Sequence, residues 1–157
     1  MPRSIFRSFY RPRFPGLPAL TAAVLLATTG CREVKTSDRS LVDVTVTDAQ
    51  SLLAGRDQLL GGTKTAALID PRPVHEWRSA HVPGALHIPY EELRNAQKEL
   101  AAFDTLIVYG NTYGSPVAVA ASKTLLEMGF KDVRTLDGGL RRWKELGFPV
   151  AEDTDDE

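Results

Sequence analysis

An α/β fold, a parallel sheet flanked by helices, is what this chain predicts, and three observations carry the expectation. From Leu41 onward short apolar runs alternate with helix-period segments, the pattern of strands joined by helical crossovers. Two of those runs, Ala66-Ala67-Leu68-Ile69 and Thr105-Leu106-Ile107-Val108-Tyr109, are almost continuously apolar, as strands covered on both faces must be. Glycines at 55, 129 and 147 stand where helical patterns stop, because a helix often ends on a left-handed residue that glycine tolerates.

Each element follows in order. Val42, Val44 and Val46 alternate as a first strand. Thr47, with Gln50 three residues on, reads as a capping box opening a helix through Leu53, stopped at Gly55. Residues 56–65 form a loop around Gly61-Gly62. The run from Ala66 is a central strand ending at Asp70. A short helix is expected from Val74 to Ser79, a short strand from Ala85 to Ile88, and mostly helix from Tyr90 to Ala102. The run from Thr105 is the clearest strand. Ser115 suits a helix N-cap and Pro116 the first helical position. Val117, Ala121, Thr124, Leu125 and Met128 give that helix a buried face, and Gly129 ends it. Val133 to Leu136 is a last strand. Leu140, Trp143 and Leu146 mark a final helix closed by Gly147 and Pro149.

With 157 residues, 43% hydrophobic and 25% charged, the chain has room for one domain with a genuine core. Its charge is uneven. Residues 1–30 hold Arg3, Arg7, Arg11 and Arg13 and no acid; without them 15 basic side chains face 20 acidic ones, a net of −5. An acidic protein has no general attraction for nucleic acid or an anionic membrane surface. The four arginines precede an apolar run from Leu17 to Leu26 and then small residues to Gly30, the parts of a secretory signal. The run is too short to span a bilayer, which needs about 20 residues. Cys31 follows, the one cysteine of the chain.

Ala27-Thr28-Thr29-Gly30-Cys31 resembles a bacterial lipoprotein box, in which the thiol takes a diacylglycerol and becomes the new N-terminus. That resemblance implies export and a lipid anchor on the periplasmic side of a bacterial membrane, the alternative being a soluble periplasmic protein. The expected organisation is a signal peptide over 1–30, a tether over 31–40, a domain over 41–150 and an acidic, solvated tail over 151–157.

Ligands of open α/β sheets bind beyond the carboxyl ends of the strands. Gly110-Asn111-Thr112-Tyr113-Gly114-Ser115 leaves such a strand and enters a helix, whose first N–H groups favour a small anion. This is the expected ligand- or anion-binding loop. A hydroxyl nucleophile at Tyr113 or Ser115 has no evident base beside it. His75, His81 and His87, six residues apart, lack the close pairs of a metal site, so structural roles are expected, with no metal and no cofactor. Trp77 and Trp143 read as core anchors.

Asp70-Pro71-Arg72, then Glu76-Trp77, then His81-Val82-Pro83-Gly84-Ala85-Leu86-His87-Ile88-Pro89 resembles the signature of the rhodanese-like family, with Ala80 where the family usually has Gly. Leu136-Asp137-Gly138-Gly139 followed by Trp143 is similar to its closing motif. The likeness runs from about Val44 to Val150 and implies a compact five-stranded parallel sheet. In active members a cysteine follows the strand corresponding to Leu106–Tyr109 and carries sulfur as a persulfide. Here Gly110 follows Tyr109, and counting back from the next helix end puts the position nearer Thr112, so neither alignment yields a thiol. Residues 110–116 also lack Arg and Lys. In the family, residues such as Asp70, Arg72 and His81 brace the loops around the pocket. The resemblance therefore implies a binding or scaffold module at the cell envelope, with no catalytic residue of its own, that meets a partner protein or small anion. The alternatives are a sulfurtransferase-related enzyme using a non-cysteine or partner-supplied nucleophile, and a purely structural domain.

Overall fold

The computed structural model describes residues 36–55 and 65–153. The expected signal peptide, Cys31, the start of the tether, the loop around Gly61-Gly62 and residues 154–157 lie outside the described residues. Five strands, β1 (Val42–Val44), β2 (Ala66–Asp70), β3 (Leu86–His87), β4 (Thr105–Val108) and β5 (Val133–Leu136), form one sheet in the order β1-β5-β4-β2-β3. Every pairing is parallel. Among the described residues five α-helices accompany it: α1 (Val46–Leu53), α2 (Val74–Ser79), α3 (Gln97–Leu100), α4 (Pro116–Glu127) and α5 (Gly139–Glu145).

The two-residue period of a strand sorts the core. Leu68, Ile107, Tyr109 and Leu136 face one side and pack with Val46, Ala49 and Leu52 of α1 and Leu140 and Trp143 of α5. Ala67, Ile69, Leu106, Val108 and Val133 face the other and pack with Leu100 of α3 and Ala118, Ala121 and Leu125 of α4. Both faces of β2 and β4 are thus covered, which explains their unbroken apolar runs.

Several local expectations are corrected. The cap of α1 is Thr45 rather than Thr47: its Oγ1 accepts the Asp48 N–H at 3.2 Å and donates to Asp48 Oδ2 at 2.7 Å. Asp48 stands three residues after that cap, where a carboxylate also meets the helix dipole. Val46 consequently belongs to the helix and not to the first strand. The stretch from Tyr90 to Ala102 is a 3₁₀ turn over Tyr90–Glu92, then turns, then the single turn of α3. Ser115 does precede α4, but its side chain makes no cap bond. The buried face of α4 is Ala118, Ala121, Ser122, Thr124 and Leu125, with Val117 and Met128 only half-buried. Leu146 is 45% exposed and lies just past α5.

The ends of the domain also differ from expectation. Ala151 exchanges two backbone hydrogen bonds with His81, both 2.8 Å, and the Asp153 N–H donates to the Arg78 carbonyl. Residues 151–153 therefore close the domain instead of starting a solvated tail. Within the expected tether, residues 38–40 form a 3₁₀ turn and Thr36 Oγ1 donates to Glu127 of α4 at 3.1 Å. No helix among the described residues is long and apolar enough to cross a membrane.

Candidate functional site

The carboxyl ends of β2, β4 and β5 converge on one end of the sheet, where Asp70, Tyr109 and Asp137 leave their strands. Asp70 is fully buried and Arg72 is 2% exposed. Pro71 turns the chain so that Arg72 folds back on Asp70: its Nε lies 2.9 Å from Oδ1, its Nη2 bonds Oδ2, and its backbone N–H reaches Oδ1 at 3.0 Å. A buried carboxylate is tolerable only when paired in this way. Arg72 Nη2 also donates to the Ala80 carbonyl at 2.9 Å, and Nη1 to Asn111 Oδ1 at 2.7 Å. One guanidinium thus ties β2, the end of α2 and the 110–115 loop together. Burial works against its charge, but the hydrogen bond and field of Asp70, with a smaller part from Tyr109, raise its pKa.

Tyr109, the residue after β4, is fully buried, with its ring centroid 5.4 Å from the guanidinium of Arg72. Its hydroxyl accepts the Val82 N–H at 3.2 Å. Burial above all, then the negative charge of Asp70, pushes this phenol far above the usual tyrosine range, so it remains neutral. Asn111, the second residue of the loop, is held from two sides: Arg72 donates to its Oδ1, and its Nδ2 donates to Glu76.

Of the expected pocket braces, Arg72 reaches the loop at Asn111 and Asp70 holds Arg72, while His81 bonds the Trp77 carbonyl and Ala151 and not the loop. His81 Nδ1 meets the Trp77 carbonyl at 3.0 Å, and His87 Nε2 meets the Arg72 carbonyl at 3.0 Å. Trp77 is not a core anchor. It is half-buried and stacks against His81 at 3.6 Å and His87 at 4.8 Å, while its Nε1 donates to Asp153. Trp143 is the anchor expected, 4% exposed and donating to the Pro149 carbonyl. Ala80 has φ −172°, an extended backbone open to any residue, so the departure from Gly there costs nothing.

The loop itself runs from buried Gly110 through exposed Asn111, Thr112, Tyr113 and Gly114 to Ser115, 8% exposed. It is pinned from α5, whose first N–H groups are spent on it: Leu140 donates to the Gly110 carbonyl at 2.8 Å and Arg141 to the Asn111 carbonyl at 2.9 Å. Gly139 permits that approach. At φ +57° it sits against the Gly110 carbonyl, where any Cβ would collide with Gly110 and Asn111 backbone atoms.

Gly110 is crowded from the opposite side. A Cβ added there would overlap the Ser115 hydroxyl and Cβ and lie 3.3 Å from the Cβ of Ala118. Ser115 therefore fills the space into which a side chain at position 110 would project. Among the described residues its hydroxyl has no base as partner. Thr112 and Tyr113 are exposed and equally without one. Among the described residues no three His, Cys, Asp or Glu side chains are grouped to hold a metal.

Three features of this site were missed by sequence reasoning: the Tyr109 hydroxyl on Val82, the Asn111 latch, and the Trp77 stack. A Tyr closing a fully buried strand must find a polar partner, which was the readable sign for the first. The other two depend on residues far apart in sequence.

The family model for the rhodanese-like domain matches residues 52–146. An HTH-type transcriptional regulator of Mycobacterium tuberculosis is 31% identical over 123 residues, covering 74% of this chain and 54% of the regulator. A thiosulfate sulfurtransferase of Escherichia coli is 32% identical over 91 residues, 48% of this chain and 20% of that enzyme. The chain thus spans about half the length of the first relative and a fifth of the second. A solved Bacillus halodurans protein superposes with a TM-score of 0.60 at 19% identity, over 73% of this chain and 80% of that one, a likeness of fold.

Proposed function

The chain belongs to the rhodanese-like domain family, and from that premise we propose that it is a non-catalytic member, a binding or scaffold module held at the periplasmic face of a bacterial membrane by a lipid on Cys31. Its relatives include a sulfurtransferase. Sulfur transfer needs a soft nucleophile that ionises easily, and no cysteine lies beyond Cys31. The observation that carries the reading is at Gly110. The place after β4 has no side chain, and the room for one is filled by Ser115. The loop is built around a hydroxyl that has no base beside it among the described residues and is too basic to act as a sulfur acceptor.

Binding is the role that remains for this surface. Asn111, Thr112, Tyr113 and Gly114 stand exposed on a rigid frame, and loops held that way commonly carry recognition. A partner protein of the cell envelope suits the loop better than a small anion, because Arg72, the cation nearest Asn111, is already committed to Asp70 and the Ala80 carbonyl. The test is thiosulfate:cyanide sulfurtransfer by the purified protein and by its Cys31→Ser variant. The expected result is no thiocyanate above the rate without protein. Turnover by Cys31→Ser would overturn the non-catalytic reading.

A further inference from the structure

Beside the loop, on the α4 face of the sheet edge, lies a cleft of about 180 Å³ lined by Leu41, Asp43, Tyr113, Val119, Leu136 and Asp137, among others. Resting on the reading of this surface as a binding module, we propose that the cleft receives an arginine side chain from a segment of a partner protein.

Register sets the charge. Asp43 pairs with Thr135 across β1 and β5, and Asp137 follows Thr135 by two residues, so side-chain alternation sends both carboxylates to one face. That face is the α4 side, since Thr135 Oγ1 and Ser122 Oγ of α4 are 3.0 Å apart. Both aspartates are exposed, and neither forms an ion pair among the described residues. Among the described residues no Lys or Arg lines the cleft. The nearby cations of α5 are engaged elsewhere, Arg141 and Arg142 both on Glu145.

The walls fit the same guest. Tyr113 stands 70% exposed at the rim, an aromatic face over which a guanidinium gains cation–π attraction. Leu41 and Val119 offer apolar surface to the methylene stem. A planar, weakly hydrated guanidinium suits two carboxylates and a ring better than an ammonium does. Among the described residues β1 is an edge strand with one side unpaired, so an extended segment bearing the arginine has a backbone edge beside the cleft.

The experiment is a titration of the ¹⁵N-labelled full chain with the capped peptide Ac-Leu-Arg-Leu-NH₂ at low salt, with Ac-Leu-Glu-Leu-NH₂ as control, read by amide shifts. The expected result is saturable shifts centred on Asp43, Tyr113, Gly114 and Asp137 with the arginine peptide alone. Binding should weaken about tenfold in the Asp43→Asn/Asp137→Asn variant, two exposed charge pairs being lost, while its remaining spectrum stays native. Absence of localised shifts, equal shifts with the glutamate peptide, or unchanged affinity in the double variant would each overturn the proposal. Shifts that instead map one chain onto a second copy, growing with protein concentration alone, would also overturn it. Sulfurtransfer is read separately, so turnover by a protein that still binds the arginine peptide would sink the non-catalytic reading and leave the cleft standing.

Discussion

Placing a cysteine at position 110 is the obvious way to ask whether this domain lost sulfur chemistry by one substitution, and the structure predicts that Gly110→Cys fails for a steric reason. The new Cβ would overlap both Cβ and Oγ of Ser115. Neither partner has room to retreat. Gly110 is held by the Leu140 N–H on its carbonyl at 2.8 Å, and the Ser115 carbonyl accepts the Val119 N–H at 3.0 Å in the first turn of α4. Forcing extra atoms into a packed interior costs about 1–3 kcal/mol, which for a domain of this size lowers the melting temperature by roughly 4 °C per kcal/mol. Because the Ser115 Cβ itself is in the way, Ser115→Ala does not relieve the clash, whereas Ser115→Gly does. Urea unfolding of Gly110→Cys, Ser115→Gly and the double variant forms a thermodynamic cycle. The double variant should be more stable than the sum of the single losses by about 1–3 kcal/mol. Any sulfur transfer regained by a thiol at this place is predicted in the double variant and not in Gly110→Cys alone. A Gly110→Cys variant as stable as the parent, or strictly additive losses, would refute the reasoning.

Further outcomes concern the frame and the anchor. Arg72→Met leaves the Asp70 carboxylate buried and unpaired and should cost about 3–5 kcal/mol, read as a lower urea midpoint. Tyr109→Phe strands the Val82 N–H in the core and should cost about 1–3 kcal/mol, by the same measurement. The Tyr109 phenol has its pKa raised on folding, chiefly by burial, so the unfolded chain ionises first. Its contribution is intact below pH 10 and declines above it, by up to about 1.4 kcal/mol per pH unit. Unfolding followed from pH 9 to 11 should show that loss in the parent and a shallower one in Tyr109→Phe. Cys31→Ser should abolish acylation and move the protein from the membrane to the soluble fraction in cell fractionation; unchanged membrane association would eliminate the lipid anchor.

The sheet was readable because β2 and β4 are buried on both faces and their side chains say so, and because Gly129 and Gly147 end helices at positive φ. The pairing of Asp70 with Arg72 lay within reach of the sequence because the two stand two residues apart at the end of β2; the partners of His81, Trp77 and Ala151, did not follow from the motif. Short elements were less legible. Thr45 and Thr47 are equally good caps by composition, and only the packing of Val46 at 2% exposure decides between them. Trp77 looked like core because large aromatics usually are, yet its stack with His81 and His87 depends on how α2 meets β3. The crowding of Gly110 by Ser115 was beyond sequence reasoning altogether, since a glycine followed five residues later by a serine has no fixed geometry until the loop closes.

Mass spectrometry of Cys31→Ser protein after exposure to thiosulfate bears most directly on the absence of a sulfur-accepting group in the folded domain. Peptides covering residues 36–153 are predicted to return unchanged in mass. A peptide from that region heavier by one sulfur atom would contradict the account.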